Sequence, residues 1–281
     1  GAAAAVMRAV ADAVRAGDAP GARASGEQLV ARLVTELVRK RLQMIAAQHA
    51  PRRWSQRSGA GELADEVRRL LDLTLDLLEP MADELAPAFE RPVTSRELNA
   101  DLARVLMPRL GSLDEIVHGL GYMAEVGVLT DAAHWMHWWQ RTADGAFDRD
   151  YRHQLDAARD DFYDYAARAY LTRPRETGEA NVMGPYIDHG GVDDNIVTVS
   201  VPVAAGPGFR GVMAADLRMA TLEQALAPWL ARADGVCVVL NAESRVLLSN
   251  SVEYIVGDVL PADAALELTG IDRFGWSIGR G

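Results

Sequence analysis

The chain has 281 residues, of which 49% are hydrophobic and 25% are charged, and this is enough apolar material for one large core or two smaller ones. Its 40 acidic and 29 basic residues give a formal net charge of -11 at pH 7, which repels phosphate backbones and anionic lipid headgroups. The composition therefore argues against direct contact with nucleic acid.

The first part of the chain follows a helical period. Leucines four residues apart, each beside a valine, predict a long amphipathic helix over residues 27–49. A second apolar stripe over 63–85 predicts another helix, which Pro80 kinks or ends. A capping box that begins at Thr94 predicts the start of a third helix, which Pro108 stops.

Short extended runs dominate the chain after Gly119. The predicted order is two strands, a helix, three strands, a helix and a hairpin, at residues 120–129, 135–141, 160–172, 181–188, 195–204, 209–217, 221–232, 236–240 and 245–249. Valines alternate with other residues in the strand at 195–204, so one of its faces is buried. This order predicts an α+β fold with a mainly antiparallel sheet of about five to six strands flanked by helices, preceded by the long N-terminal helical region.

Six short sequences in this second part resemble those of the Cache domains, a family of ligand-sensing domains with a PAS-like fold. They are HWWQR at 137–141, DFYDY at 161–165, GPYID at 184–188, TVSVPV at 198–203, FRGV at 209–212 and AADL at 214–217. Together they cover about residues 117–252, in the order that the family has. The resemblance implies a Cache-like sensor domain over 117–281, after a helical N-terminal region over 1–116.

The resemblance also implies a pocket in which a small ligand lies between the sheet and the elements that cover it. Amino-acid-binding members carry a tyrosine, four spacers, an arginine, one spacer and Trp-Tyr on the helix, then a tyrosine and an aspartate on later strands. Tyr163 and Arg168 have this spacing, and Tyr170 stands at the tryptophan position. Tyr186 and Asp216 match the later pair. The ligand-binding residues so implied are Tyr163, Arg168, Tyr170, Tyr186, Asp188, Asp216 and Trp139.

These side chains suit a small zwitterion or amine. The planar guanidinium of Arg168 can bind a carboxylate through two hydrogen bonds, and the Asp216 carboxylate can receive an ammonium group. The tyrosines offer apolar rings, hydroxyl partners and ring faces that attract cations. Leu171 stands where amino-acid-binding members have a tyrosine. Because this removes a polar contact, amines and small carboxylates stay beside amino acids as candidate ligands.

Each predicted site residue also has a structural interpretation. Arg168 can bind the last carbonyls of its helix or pair with Asp164 on the helix surface. Asp216 can instead favour the N-terminus of the helix that begins near Thr221. Individually, the tryptophans of the second strand are better explained by core and sheet packing than by ligand contact: Trp135, Trp138 and Trp139.

No arrangement of residues predicts catalysis, a metal or a cofactor. His134 and His137 are three residues apart, which places them on opposite faces of a strand. His189 and its neighbouring aspartates stand beside Gly190, a context that is typical of an exposed turn. A nucleophile elbow and a phosphate-binding glycine loop are both missing from the sequence. A hydrolase that uses His189 or His134 would need a metal.

The sequence predicts a small-molecule sensor that signals through the helix at 27–49. The alternative is a structural or dimerisation module, in which the helices before residue 110 form a homodimer and the Cache-like part is an empty scaffold. No stretch reaches the roughly 20 apolar residues of a membrane-spanning helix, so the chain is expected to be soluble. The single cysteine, Cys237, allows no intramolecular disulfide. The compartment stays open between an extracytoplasmic sensor portion and a cytoplasmic regulator.

Overall fold

The computed structural model describes residues 34–35, 37–44, 59–148, 153–189 and 194–281. They divide into two compact units, one of which is Val67–Glu223, while the other contains the described residues before Val67 and Gln224–Gly281. The sequence-based division at residue 117 stays a prediction. Residues 34–35 and 37–44 are helical, as expected for the segment 27–49, and the rest of that segment lies outside the described residues.

Helical segments precede the first strand: α1 at Gly59–Leu85, a 3-10 turn at Ala86–Phe89 and α2 at Ser95–Leu110. α1 continues through Pro80. The proline has no backbone N–H, so one helical hydrogen bond is lost, but the apolar stripe on both sides of it stays buried and stabilises the helix. Thr94 caps α2 in a capping box with Glu97, which confirms the predicted start. The predicted stop at Pro108 is wrong by two residues, since that proline lies inside α2.

A six-stranded antiparallel sheet in the order β3-β2-β1-β6-β5-β4 forms the centre of the unit Val67–Glu223. The strands are β1 Val117–Ala124, β2 Met136–Arg141, β3 Phe147–Asp148, β4 Asn181–Ile187, β5 Asn195–Ala205 and β6 Gly208–Arg218. The predicted α+β class and antiparallel sheet are confirmed. β3, which has two residues, was not predicted.

The other unit contains a four-stranded antiparallel sheet in the order β8-β7-β10-β9. Its strands are β7 Cys237–Leu240, β8 Val246–Ser249, β9 Glu267–Gly270 and β10 Ser277–Arg280. β7 and β8 form the predicted hairpin. β9 was not predicted because all four of its residues are exposed, so no apolar alternation marks the strand.

The segment at 160–172, which the sequence predicts as one helix, is divided in the structure. Its elements are a 3-10 turn at Tyr165–Ala167 and α3 at Ala169–Thr177. Arg168 between them is extended. The Asp164 carboxylate accepts a hydrogen bond from the Ala167 backbone N–H at 3.3 Å, so it stabilises the short turn in place of a longer helix. Pro174 lies inside α3, so the helix continues beyond the end that the sequence predicts at residue 172.

The helix that follows β6, α4, spans Met219–Leu230. The sequence placed the start of this helix at residue 221, and this prediction was wrong by two residues. β6 ends at Arg218 and passes into α4 without a loop, so Thr221 already lies in the first turn.

The core between the six-stranded sheet and the segment that covers it is largely aromatic. Its buried residues are Met123, Trp138, Tyr163, Tyr165, Tyr170, Leu171, Val212 and Ala214. Gly121 on β1 lies directly opposite Trp138 on β2. A Cβ atom at Gly121 would lie 2.0 Å from the His137 carbonyl oxygen and 2.8 Å from the Trp138 ring. Glycine is therefore required for the close approach of the two strands and the indole.

We expect Gly121→Ala to lower the free energy of unfolding by at least about 1–3 kcal/mol, because the new methyl group meets backbone that cannot move aside. Urea unfolding measures the change. Gly111→Ala is the matched control, since Gly111 has φ -74 and no atom within 4 Å of its Cβ position. This control is expected to be neutral or slightly stabilising. Equal losses in the two variants would contradict the close approach.

Candidate ligand-binding site

A small cavity of about 10 Å³, with room for about one water molecule, lies between one face of the six-stranded sheet and the segment that covers it. Its walls are formed by Met123, Met136, Trp138, His153, Tyr163, Tyr170, Tyr186, Asp188, Thr198 and Asp216. The strand register places Thr198 of β5 and Gly119 of β1 on either side of Asp216. A Cβ atom at Gly119 would lie 2.7 Å from the Trp138 Nε1, so this glycine admits the indole to the wall.

Asp216 lies on β6, near the middle of the sheet, and is 4% exposed. The Thr198 Oγ1 donates to the Asp216 Oδ1 at 2.7 Å and therefore accepts from the Tyr186 hydroxyl, 2.8 Å away. Burial raises the pKa of Asp216 to about 8, the Thr198 hydrogen bond opposes this rise, and the charge of Asp188 adds to it. Without a neighbouring cation, Asp216 is therefore mostly protonated at pH 7.

Asp188, directly after β4, is the second acid of the cavity and is also 4% exposed. The Tyr163 hydroxyl donates to the Asp188 Oδ1 at 2.7 Å and therefore accepts from the Tyr170 hydroxyl, 3.1 Å away. Burial raises the pKa of both tyrosines, so they stay protonated. Burial lowers the pKa of His153, whose ring centroid is 4.6 Å from that of Tyr163, to about 4. His153 is therefore neutral at pH 7.

The described residues that line the cavity include two acids and no arginine or lysine. The tyrosine hydroxyls and the neutral His153 supply polar groups without net charge. An aromatic wall around a carboxylate can hold a cation, because the ring faces and the acid attract positive charge. The arrangement therefore suits a small ligand with a positively charged group.

Five of the residues predicted from the sequence line this cavity: Tyr163, Tyr170, Tyr186, Asp188 and Asp216. Arg168 is exposed, on the extended residue before α3. Trp139 faces the opposite side of β2 from Trp138, and its Nε1 donates to the His137 Nε2 at 3.0 Å. The structure brings neither Arg168 nor Trp139 to the cavity, so their part in ligand binding stays a prediction.

Neither a protein-family model nor a curated protein matches the sequence. Among solved structures, the extracellular domain of soHK1S-Z6, named as a histidine kinase, has a TM-score of 0.57 at 15% identity, covering 86% of this chain and 94% of its own. The ligand-binding domain of the Pseudomonas aeruginosa amino acid chemoreceptor PctB, in complex with L-arginine, has a TM-score of 0.51 at 17% identity. The match covers 79% of this chain and 90% of that domain. The ligand-binding domain of the Pseudomonas fluorescens chemoreceptor CtaA, in complex with L-valine, has a TM-score of 0.51 at 17% identity, over 79% of this chain and 92% of that domain.

This chain has a Cache fold. The structures that it resembles are the extracellular domain of a histidine kinase and the ligand-binding domains of two chemoreceptors. The resemblance inferred from the short sequence motifs is confirmed at the level of the fold.

Sequence reasoning did not assign the other lining residues of the Cache cavity to the site. Thr198 was placed on the more polar face of its strand, and its position opposite Asp216 is the signal that could have located it. His153 is half-buried and stands in an irregular segment, where no periodic pattern indicates which side chains face the core. The remaining wall residues have side chains that are equally typical of a core: Met123, Met136 and Trp138.

The histidines considered as metal ligands have separate neighbours. The His134 ring packs edge-on against Phe162, with 5.0 Å between centroids, while the His137 Nδ1 lies 2.6 Å from the Asn99 Oδ1. Within the described part of the chain, no group of three or more histidine, cysteine or acidic side chains could hold a metal ion. The helices described here include none that is long and apolar enough to cross a membrane. The turn predicted around Gly190 lies outside the described residues.

The raised pKa of Asp216 predicts how stability depends on pH. An unfolded aspartate ionises near pH 4, whereas burial raises the pKa of Asp216 in the folded protein to about 8. Between these values the folded state binds more protons, so this residue makes the free energy of unfolding fall as pH rises. We expect Asp216→Asn to remove this dependence of the free energy of unfolding on pH. The Tm should therefore rise more at pH 8 than at pH 5, by about 2–4 °C for each kcal/mol of unfolding free energy gained.

Thermal unfolding followed by circular dichroism from pH 5 to pH 8 measures this difference. Asp83→Asn, which makes the same chemical change at an exposed position on α1, is the matched control and should follow the wild-type profile. An Asp216→Asn profile parallel to wild type over this range would contradict a buried, protonated Asp216.

Proposed function

We propose that this Cache chain is a small-molecule sensor whose ligand binds in the cavity between the six-stranded sheet and the segment that contains α3. The observation that carries the proposal is the convergence of two buried acids, Asp188 and Asp216, with the side chains of three tyrosines around one small cavity. Ligand cavities typically combine apolar and aromatic walls with a few placed polar groups. The candidate ligands are an amino acid, an amine or a small carboxylate.

Stability alone does not account for so polar a cavity. Burial of an acid lowers stability, and a second acid nearby adds to the cost because each charge disfavours the other. Apolar side chains of similar size would pack more favourably at the same positions. Strongly shifted pKa values in a cavity are typical of functional sites, and Asp216 has such a shift.

The ligands of two similar structures support the proposed class. PctB is bound to L-arginine and CtaA to L-valine, and both ligands carry an α-ammonium group that a carboxylate can receive. We propose no reaction in this cavity, because the Thr198 hydroxyl donates its hydrogen bond to Asp216 and burial keeps the hydroxyls of Tyr163 and Tyr186 protonated. A dimerisation module with an empty scaffold, and a homodimer through the N-terminal helices, stay predictions from the sequence.

Thermal unfolding in the presence of L-amino acids, primary amines and short carboxylates tests the proposal. We expect at least one class to raise the Tm, since a ligand at one hundred times its Kd adds about 2.7 kcal/mol of stability. Asp188→Asn and Asp216→Asn are each expected to weaken the binding of a ligand with an ammonium group at least about tenfold, because an amide of nearly the same shape cannot form an ion pair with that group. The exposed variant Asp83→Asn serves again as the control.

The variant Arg168→Ala asks whether the arginine predicted from the sequence reaches the ligand. Arg173→Ala removes another exposed arginine from the same segment and is its matched control. A loss of affinity confined to Arg168→Ala would support a ligand carboxylate at this position. The proposal fails if no class of ligand raises the Tm, or if a shift survives both aspartate substitutions unchanged.

The proposal extends to signal transmission through the helix at 27–49. A ligand shifts a conformational equilibrium when its affinity differs between two states of the protein. We therefore expect a saturating ligand to change the rate of backbone amide hydrogen exchange at residues 37–44 severalfold, as measured by mass spectrometry. Unchanged exchange at these residues, with a ligand that raises the Tm, would contradict this helix as the output.

A further inference from the structure

A cleft of about 380 Å³ in the unit Val67–Glu223 is lined by residues 89–92, Val128, Thr130 and Arg210. It shares no lining residue with the small cavity around Asp216. We infer that this arginine cleft is a second ligand site, and that it binds an organic carboxylate through the guanidinium of Arg210. The inference goes beyond the proposed function, because it concerns a different site.

The side chain of Arg210 carries a charge that the protein does not balance. Arg210 is half-buried near the start of β6, and its Nε is shielded from solvent. Within the described part of the chain, this Nε has no hydrogen-bond partner and the guanidinium forms no ion pair. The backbone carbonyl of the same residue accepts hydrogen bonds from the Tyr122 hydroxyl and the Glu125 N–H. Because a partly buried cation without a counter-charge is costly, an anion that reaches Arg210 stabilises the protein.

The other charged residues of the arginine cleft leave this position to a ligand. Arg91 is already paired, since its Nη1 lies 2.9 Å from the Glu97 Oε1. Glu90 is exposed and forms no ion pair with Arg210. Among the described lining residues, Arg210 is therefore the cation that lacks an acid partner.

Hydrogen bonds hold the two sides of the arginine cleft together. The Thr130 N–H and Oγ1 both donate to the Val93 carbonyl, at 3.0 and 3.3 Å. The Ser95 N–H and Oγ donate to the Asp131 carboxylate, at 2.7 and 2.8 Å. These bonds connect the segment before α2 to the segment after β1. The cleft is therefore formed before a ligand arrives, which lowers the entropic cost of binding.

The lining residues indicate which anion fits. The planar fork of Arg210 matches a carboxylate or a phosphate through two hydrogen bonds. Glu90 repels negative charge, so a ligand with one negative charge is favoured over a doubly charged phosphate. Phe89, Pro92 and Val128 offer apolar surface for the body of the ligand. A volume of about 380 Å³ lies within the usual range of about 300–1,000 Å³ for ligand pockets.

Isothermal titration calorimetry of the whole chain with benzoate at pH 7 tests the inference. Benzyl alcohol and benzylamine are matched probes with the same ring and no negative charge, and inorganic phosphate is an oxyanion without an apolar body. We expect benzoate to bind at least about tenfold more tightly than each of the three, because a hydrogen-bonded ion pair contributes more than ring burial or charge alone. Equal binding of benzyl alcohol or phosphate would overturn the carboxylate as the ligand class.

Three variants assign the binding to the arginine cleft. Arg210→Ala should weaken benzoate binding at least about tenfold, whereas Arg173→Ala makes the same change in charge on α3 and should leave it unchanged. Arg210→Lys keeps the charge but not the fork, so its affinity should lie between those of wild type and Arg210→Ala. Glu90→Gln should raise the affinity about two- to fivefold, because it removes a repelling charge at an exposed position. Unchanged or weaker binding in Glu90→Gln would contradict a carboxylate in this cleft.

A second measurement tests the unpaired guanidinium without any ligand. Arg210→Met replaces the charge by an apolar side chain of similar length, so its Tm should equal or exceed that of wild type. Arg141→Met is the matched contrast, because the Arg141 guanidinium donates to the carbonyls of Val117, Asp114 and Gly145 at 2.9, 2.9 and 3.1 Å. Its Tm should fall by at least about 3 °C. Thermal unfolding followed by circular dichroism measures both, and equal losses would contradict the inference.

The outcomes distinguish this inference from the proposed function. Benzoate binding that survives in Arg210→Ala and is lost in Asp216→Asn would place the ligand in the small cavity, which overturns the inference and leaves the proposed function standing. Absence of benzoate binding overturns it as well, whichever ligands bind near Asp216. A loss of benzoate binding confined to the Arg210 variants supports the arginine cleft even if no compound binds near Asp216 and the proposed function fails.

Discussion

A carboxyl group held away from solvent at the centre of a sheet is the constraint on which this cavity depends. Asp216 lies on β6, between β1 and β5, so no sheet edge gives it access to water. Burial disfavours its charged form, and the hydroxyl of Thr198 stabilises that form in part. Apart from Asp188, the walls around it are tyrosines and other uncharged groups, which can contact a protonated acid without burying a further charge.

The sheet register fixes this arrangement more strongly than any single contact. Thr198 meets Asp216 because β5 and β6 pair with these residues directly opposite each other. A shift of one residue would turn Thr198 to the other face of the sheet and leave Asp216 without that hydrogen bond. The tyrosines complete the network, because each combines a large apolar ring with one hydroxyl donor. Hydrogen bonds that follow one another in this way hold the side chains in defined orientations.

Local sequence signals predicted the regular part of the fold. The alternating valines of β5 and the capping box at Thr94 are short-range patterns, and the structure has both elements close to their expected positions. The segment that covers the cavity could not be predicted in this way. The Tyr163 N–H donates to the Gln154 carbonyl at 2.7 Å in an irregular loop, and Asp164 stabilises a short turn, so a helical reading of the apolar spacing failed.

The site was accessible to sequence reasoning mainly through the family resemblance. Periodicity cannot tell a tyrosine that lines a cavity from one that fills a core, and Tyr165, which is fully buried near Tyr163, is of the second kind. The exposure of Arg168 follows from the break between the 3-10 turn and α3, which no residue spacing revealed. His153 was missed because its burial depends on packing against Tyr163 rather than on its own neighbours in sequence.

The proposed binding of a ligand would also account for a buried acid at position 216. A proton and an organic cation both neutralise the buried acid, but the proton adds no volume and no contact with the aromatic wall. The two occupied states therefore have the same net charge and differ in packing. A difference in packing at nearly constant charge is what a signalling equilibrium needs, because the ligand then favours one arrangement of the covering segment without a large change in the solvation of the site.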